Sequence, residues 1–454
     1  MGAQQSKSSS EVAAVAAHEK AVLERLQNLR FEDDFVHVHS EKGASFKDRI
    51  SRVPEGLNIE ITQDWQSKLL SDPKNRLALS ALSSANPKDV LTTRSTKIAD
   101  QHVFNVRIPF EGAPITNQRS SGRCWLFAST NVFRVALMKK YNLDSFELSQ
   151  AYLFFWDKLE KSNYFLENII ETADQSLDER LVQRLLADPI SDGGQWDMVY
   201  NLVEKYGLVP QTLYPDSWNA MSSSTINSII VAKLREYAVI LRKLVNTPST
   251  TASTLSATKD KMMREVHLIL TLTLGPPPNS SEEFEWNFQD KDGRARTVVS
   301  TPHRFAKDIS SPEFRISSST IASMVSLVHD PRHEPLTLLS VDRLGNIVGG
   351  RGITYINVDM ATLKQACVAM LRAGLPVFFG SDVDAEGKTV RWRVQNSWGE
   401  SVGEKGWFVM SDEWMDEFVY QAVVDPKFLS RKVRDVLGQE PVVLPLWDPM
   451  GSLA

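Results

Sequence analysis

Pro114-Ile-Thr-Asn-Gln118-Arg-Ser-Ser-Gly122-Arg-Cys124-Trp125-Leu-Phe-Ala128 decides how the rest of the chain is read, because it holds one of only two cysteines and runs straight into a helical pattern. Phe127, Val132, Phe133, Ala136 and Leu137 recur at helical spacing, which predicts a helix from Cys124 that ends near Tyr141, with the thiol in its first turn. Unpaired N–H groups at a helix start favour a thiolate, so the expected effect on Cys124 is a lowered pKa. Gly122 is expected to let the backbone bend sharply into that turn. Gln118 carries an amide donor that, with the Cys124 N–H, would make a two-donor oxyanion hole for acyl transfer. The bland alternative is a buried, inert cysteine; the joint spacing of Gln, Gly, Cys and Trp favours the nucleophile.

The composition bounds the rest. With 454 residues, 42% hydrophobic and 24% charged, the chain can bury a substantial core. A net charge of −5 lends no support to nucleic acid or an anionic membrane as a partner. Two cysteines are too few for a disulfide framework, and no Cys/His cluster has zinc-ligand spacing, so the expectation is a reducing, cytoplasmic setting with no metal and no cofactor. The longest apolar stretch, residues 266–274, stops at Gly275-Pro-Pro-Pro278, well short of a membrane span, and no secretory core follows Met1. Gly2 with Ser6 fits an N-myristoylation pattern, which would give the chain its one route to a membrane.

Read in order, residues 11–30 form a peripheral helix after a Ser-rich tail, and His37 with His39 reads as a surface pair. Residues 56–82 read as mixed and helical, and Ala85-Asn-Pro-Lys88 marks a break before the core domain. After the Cys124 helix, Ser149 caps a second, aromatic-rich helix. Asp192-Gly193-Gly194 then opens a third, and paired glycines there would let a peptide approach the backbone closely. Residues 225–245 are helical, 247–258 read as a Ser/Thr linker, and 260–274 are again helical. Alternating Phe284, Trp286 and Phe288 with the turn Asp292-Gly293 predicts a hairpin. Strands are expected within 336–348, at 377–380 and at 391–394, with a helix over 359–372 that buries Cys367; Gly406-Trp-Phe-Val-Met410 follows the Asn396 loop. The Pro-rich tail after Glu440 reads as an extended arm.

Cys124 with Gln118 upstream and Asn396-Ser-Trp398-Gly downstream resembles the papain-like cysteine peptidases. The spelling Gln-Arg-Ser-Ser-Gly-Arg-Cys-Trp-Leu-Phe-Ala, the Gly-Pro-Pro-Pro before Phe-Glu-Trp and the tail Trp447-Asp-Pro-Met-Gly-Ser-Leu-Ala454 are similar to the bleomycin hydrolase family, the intracellular aminopeptidase branch. The resemblance implies an α+β fold: a helical half with the Cys, a β-barrel half with a His and an Asn, an inserted helical subdomain and a C-terminal arm lying in the cleft. Mapped here, this gives a tail and peripheral helix over 1–55, the helical half over 56–209, the insertion over 210–335, the barrel half over 336–438 and the arm over 439–454. It implies that Gln118 polarises the scissile carbonyl, Cys124 attacks, Asn396 orients a histidine and Trp398 shields that pair from water. Gly193 and Gly194 would hold the substrate backbone, and the Ala454 carboxylate would pair with the substrate's amino group. The expected partners are peptides and other copies of the chain in a hexamer, with cytoplasmic placement and a mitochondrial form as the variant.

The chain departs from this pattern at the base. None of its eight histidines lies after His333, yet the family's His sits on a barrel strand between residue 372 and Asn396. Here Val383 passes directly to Asp384-Ala-Glu-Gly-Lys388, where the family carries several dozen further residues, and the gap has the form of a lost exon. His329 and His333 are poor substitutes, because Pro331 between them breaks helical pairing. The barrel is therefore expected to be incomplete. Two readings follow: a cysteine aminopeptidase whose present chain is incomplete, or a catalytically inactive scaffold or peptide-binding subunit of the same fold.

Overall fold

The computed structural model describes residues 56–99, 103–307, 323–377 and 380–453. Gly2, the helix expected over 11–30, the pair His37 and His39, and Ala454 lie outside them. The chain divides into two compact units, residues 1–100 and 101–454. In the first, helices α1 (Ile59–Ser71), α2 (Pro73–Leu82), α3 (Pro87–Leu91) and α4 (Arg94–Ala99) follow one another. Asn58, Asp72 and Asn86 cap the first three through their side chains, and the break at Asn86-Pro87 is a helix start.

The second unit is built on the Cys124 helix, α5 (Cys124–Lys140), which buries residues on all sides, Trp125, Leu126, Phe133 and Leu137 among them. A helix apolar all round belongs in the centre of a domain, and each of its fully buried large side chains contributes roughly 1.5–3 kcal/mol. Helix α6 (Gln150–Glu171) crosses it and starts as expected at Ser149, whose Oγ accepts the Tyr152 N–H at 3.1 Å and donates to Tyr214 O at 2.5 Å. Helix α7 (Arg180–Ala187) leads to α8 (Trp196–Tyr206), which Gly207 closes at φ +75°; a side chain there would run into the Pro302 backbone.

The insertion consists mainly of α9 (Ser224–Val245) and α10 (Ala252–Leu274), both packed on α6. The Ser/Thr linker expected over 247–258 is mostly helix. Thr251 accepts the Thr254 N–H at 3.1 Å, so a run that looks loop-like in composition supplies the cap and first turns of α10. The hairpin β2 (Phe284–Gln289) and β3 (Ala295–Ser300) forms as expected and buries Trp286 against Tyr141, Phe146 and Phe305.

Among the described residues the remaining strands form two sheets that do not close into a barrel. One is antiparallel, in the order β1 (Val106–Arg107), β7 (Gly380–Val383), β8 (Thr389–Gln395), β9 (Trp407–Ser411). The other runs β10 (Gln421–Val424), β4 (Val325–Val328), β6 (Tyr355–Asn357), β5 (Thr337–Val341), β11 (Val442–Leu444). Strand β4 already belongs to this sheet, inside the stretch assigned to the insertion, and no second strand follows β5 before residue 349. The short connection after Val383 is a tight turn: Asp384 N–H donates to Lys388 O at 2.9 Å, and Gly387 takes φ +84°. It makes β7 and β8 a hairpin with a register shift at Asp382 and Val383. Under the first sheet Trp392 is fully buried and donates to Asp412 at 3.0 Å. Helix α11 (Met360–Arg372) starts at the cap Asp359, and Cys367 is fully buried, as read. The arm is extended only in part. Val442–Leu444 joins β5 as a parallel strand, and Pro449–Leu453 curls into a short 3-10 turn that buries Met450.

Candidate active site

The nucleophile turn and the Asn396 loop meet through main-chain pairing that sequence spacing does not reveal. Gln118 N–H donates to Ser397 O at 2.8 Å and Gly399 N–H to Thr116 O at 3.0 Å, so 116–118 and 397–399 run side by side. Ser397 Oγ donates to Gln118 Oε1 at 2.6 Å, and Gln118 Nε2 donates to Ser121 O at 2.6 Å. The carboxamide is thus held at both ends, with its second Nε2 hydrogen left as the remaining donor. Asn396 is half-buried; its Oδ1 accepts the Ser397 N–H at 2.7 Å. Trp398 is 49% exposed and meets Phe408 edge to face.

Cys124 opens α5 as expected, with Sγ 3.9 Å from Gly122 O. Its thiol is nonetheless pushed up, opposite to the expectation from the helix start. Part of the side chain reaches solvent, but loss of hydration around the sulfur is the largest effect, and the Asp192 charge adds to it. The N–H groups of Trp125 and Cys124 pull the other way without prevailing.

Gly122 is required for a different reason from the one its position suggests. It has no positive φ; a methyl there would lie 2.6 Å from Asp192 Cβ. Gly194 likewise packs flat on the Trp125 ring, where a methyl would stand 2.6 Å away, and Lys161 Nζ holds Gly193 O at 2.5 Å. The paired glycines are therefore shaped first by the nucleophile helix.

Several supporting residues carry no sequence motif. Arg123, wholly buried, donates both guanidinium arms to Asp216 at 2.8 and 3.1 Å and its Nε to Ser121 Oγ. Asp192 accepts from Gly122 N–H, Ser223 Oγ and Asn227 Nδ2 and pairs with the buried Lys158 at 2.6 Å. Burial alone would raise the Asp192 carboxyl, but Lys158 and these donors hold it well below the usual carboxylate range. The available signals were Asp192 directly before Gly-Gly and a lysine inside the aromatic run of α6.

The four histidines among the described residues are occupied elsewhere. His267 meets Phe155 edge to face, His303 bonds Lys205 O, His329 bonds Val358 O and His333 bonds Asp330. None of them bonds Cys124 or Asn396. On the arm, Leu446 and Gly451 line a cavity with Lys161, Ser191 and Met198; Cys124, Gly193, Gly194 and Asn396 are not among its lining residues.

A cysteine at a helix start, a captive glutamine and an Asn-Ser-Trp loop on a sheet define a papain-like cysteine peptidase architecture. The Peptidase C1-like family model matches residues 56–386 and 381–451, and the chain belongs to that family. It is 39% identical to rat bleomycin hydrolase, over 88% of this chain and 99% of that protein. It is 38% identical to the Saccharomyces cerevisiae protein named cysteine proteinase 1, mitochondrial, over 89% and 94%. The crystal structure of PepW from Lactobacillus rhamnosis superposes with a TM-score of 0.78 at 34% identity, over 88% of this chain and 99% of that one. The rat alignment runs over 459 positions, more than this chain's own 454, although it covers 88% of it; several dozen residues of the relative therefore have no counterpart here. The family match breaks into two stretches that meet at 381–386, at the β7–β8 turn.

Proposed function

We propose that the chain carries the site of a cysteine aminopeptidase of the bleomycin hydrolase kind, with Cys124 placed to attack the N-terminal peptide bond, and that with this sequence it holds peptides without expelling the leaving amine. The observation that carries the first part is the pairing of Gln118 with Ser397, which unites the oxyanion donor, the nucleophile turn and the Asn396 loop. Gln118 Nε2 and the Cys124 N–H then face the developing oxyanion, Asn396 is the base-orienting side chain, and Gly193 and Gly194 run beside the substrate backbone. Removal of terminal residues rather than internal cleavage follows from the family resemblance, in which the C-terminal arm lies in the cleft. The second part rests on the thiol pushed up by burial and on the histidines bonded elsewhere, which leave no described imidazole to take the thiol proton or to return it to the leaving amine. Hexamer assembly and cytoplasmic placement belong to the same reading; among the described residues no helix is long and apolar enough to cross a membrane.

The test is to incubate the full chain with an aminoacyl fluorogenic amide and, separately, with an aminoacyl vinyl sulfone. Loss of a catalytic group of this kind typically lowers turnover by about 10⁴-fold or more, so the expectation is no measurable release together with slow stoichiometric labelling that Cys124→Ala abolishes. Release that disappears in Cys124→Ala would show a working base and overturn the capture reading. Labelling that survives Cys124→Ala would overturn the nucleophile assignment.

A further inference from the structure

One residue grips the nucleophile helix on both sides of Cys124. Asp192 Oδ2 accepts the Gly122 N–H at 3.0 Å, two residues before the thiol, and the Asp192 backbone O accepts Trp125 Nε1 at 2.6 Å, one residue after it. The next residues along the chain are Gly193 and Gly194, and Gly194 lies flat under that same Trp125 ring. The Asp192 carboxylate is fixed from three further directions, by Ser223 Oγ at 2.5 Å, Asn227 Nδ2 at 2.8 Å and Lys158 Nζ at 2.6 Å. Its Cβ occupies the space that a side chain at Gly122 would need, so the contact is tight as well as polar.

Resting on the reading of Cys124 as the nucleophile, we propose that Asp192 is its positioning residue: its carboxylate and its backbone carbonyl, bonded on either side of Cys124, fix the separation between the Cys124 turn and the Gly193-Gly194 segment and set a negative charge against that turn. The charged groups around the thiol bear this out. Lys158 and Lys161 reach in from α6, but Lys158 is matched by Asp192 and Lys161 by Asp157 at 2.9 Å. Arg123, in the turn itself, is matched by Asp216. Among the groups that shift Cys124, Asp192 is the charged one, acting in the same direction as burial. Exchanging it for asparagine keeps an oxygen for the Gly122 N–H and removes the charge, which favours the thiolate; Lys158, buried and supported chiefly by Asp192, then tends to lose its own proton.

The experiment is the rate of Cys124 alkylation by iodoacetamide in the full chain, followed by intact mass between about pH 5 and 10. Cys367, fully buried, stays unlabelled while the fold holds and serves as the internal control. Asp192→Asn is expected to shift the profile to lower pH, with alkylation near neutral pH at least about threefold faster, since below the midpoint rate follows thiolate fraction. An unchanged profile with Cys367 protected overturns the proposal. If Asp192→Asn exposes Cys367, the Ser223→Ala/Asn227→Ala double variant carries the test, because it keeps the charge and frees the carboxylate. There the midpoint should hold while the high-pH plateau changes by about twofold or more, and a plateau and midpoint both equal to wild type would overturn the positioning role. Neither readout needs turnover, so an unchanged alkylation profile leaves the Cys124 labelling test standing, and the converse holds too.

Discussion

The two walls of the cleft are held by different physics. The Cys124 wall is fixed by buried charges and glycine contacts: Arg123 with Asp216, Asp192 with Lys158, Gly122 on Asp192 and Gly194 on Trp125. All of these come from residues 122–216, the helical half and the start of the insertion. The Asn396 wall is fixed by strand pairing, β7 to β8 to β9, and depends on how many strands the chain supplies. At 381–386, where the two stretches of the family match meet, this chain has a short turn, Asp384 to Lys388, and the described strands remain two open sheets. The nucleophile wall draws none of its supports from the β7–β8 region. The sheet wall keeps its loop and its Trp392 core yet lacks a histidine at the site among the described residues.

Three measurements break or sharpen that contrast. If the nucleophile wall rests on its buried ion pairs, Arg123→Ala strands Asp216 beside an empty buried space, and urea unfolding followed by tryptophan fluorescence should show a loss of about 3–5 kcal/mol. A loss under about 1 kcal/mol would mean that the turn is held by something else. The seam between the walls is smaller. Ser397→Ala leaves Gln118 Oε1 buried without its donor and should lower stability by about 1–3 kcal/mol while releasing the amide from its fixed orientation. A vinyl sulfone labelling rate for Cys124 unchanged in that variant would separate the Asn396 loop from the oxyanion donor.

The smallest effect is set by acid. Asp330 has its carboxyl at about 2: burial would raise it, but the donors Arg332 and His333 outweigh that. Asp448, on the arm, is also held below its usual range, with Arg332 outweighing burial. Folded values below the unfolded value of about 3.9 mean that the cluster stabilises fully above about pH 4 and fades as pH falls towards about 2, on the order of 1–2 kcal/mol for Asp330. Asp192 is held lower still, so hydrogen exchange should rise in the arm, over 442–451, before it rises around 122–125. The reverse order would show that the nucleophile wall is the more acid-sensitive one.

The helix from Cys124, the cap at Ser149, the hairpin at Asp292-Gly293 and the burial of Cys367 were all legible in the chain, because each depends on residues within one or two turns of one another, whereas the α+β class came with the family resemblance. So was the shortfall of histidine, which is a matter of counting along the chain. The linker expected over 247–258 was misread because Ser and Thr cap a helix start as readily as they fill a loop. The direction of the Cys124 shift, the true reason for Gly122 and Gly194, and the roles of Asp192, Lys158 and Ser397 could be decided only by the tertiary structure. A helix start announces itself locally, whereas desolvation, a missing Cβ and a buried charge are set by what the fold brings up from elsewhere: residue 192 against residue 122, and residue 397 against residue 118.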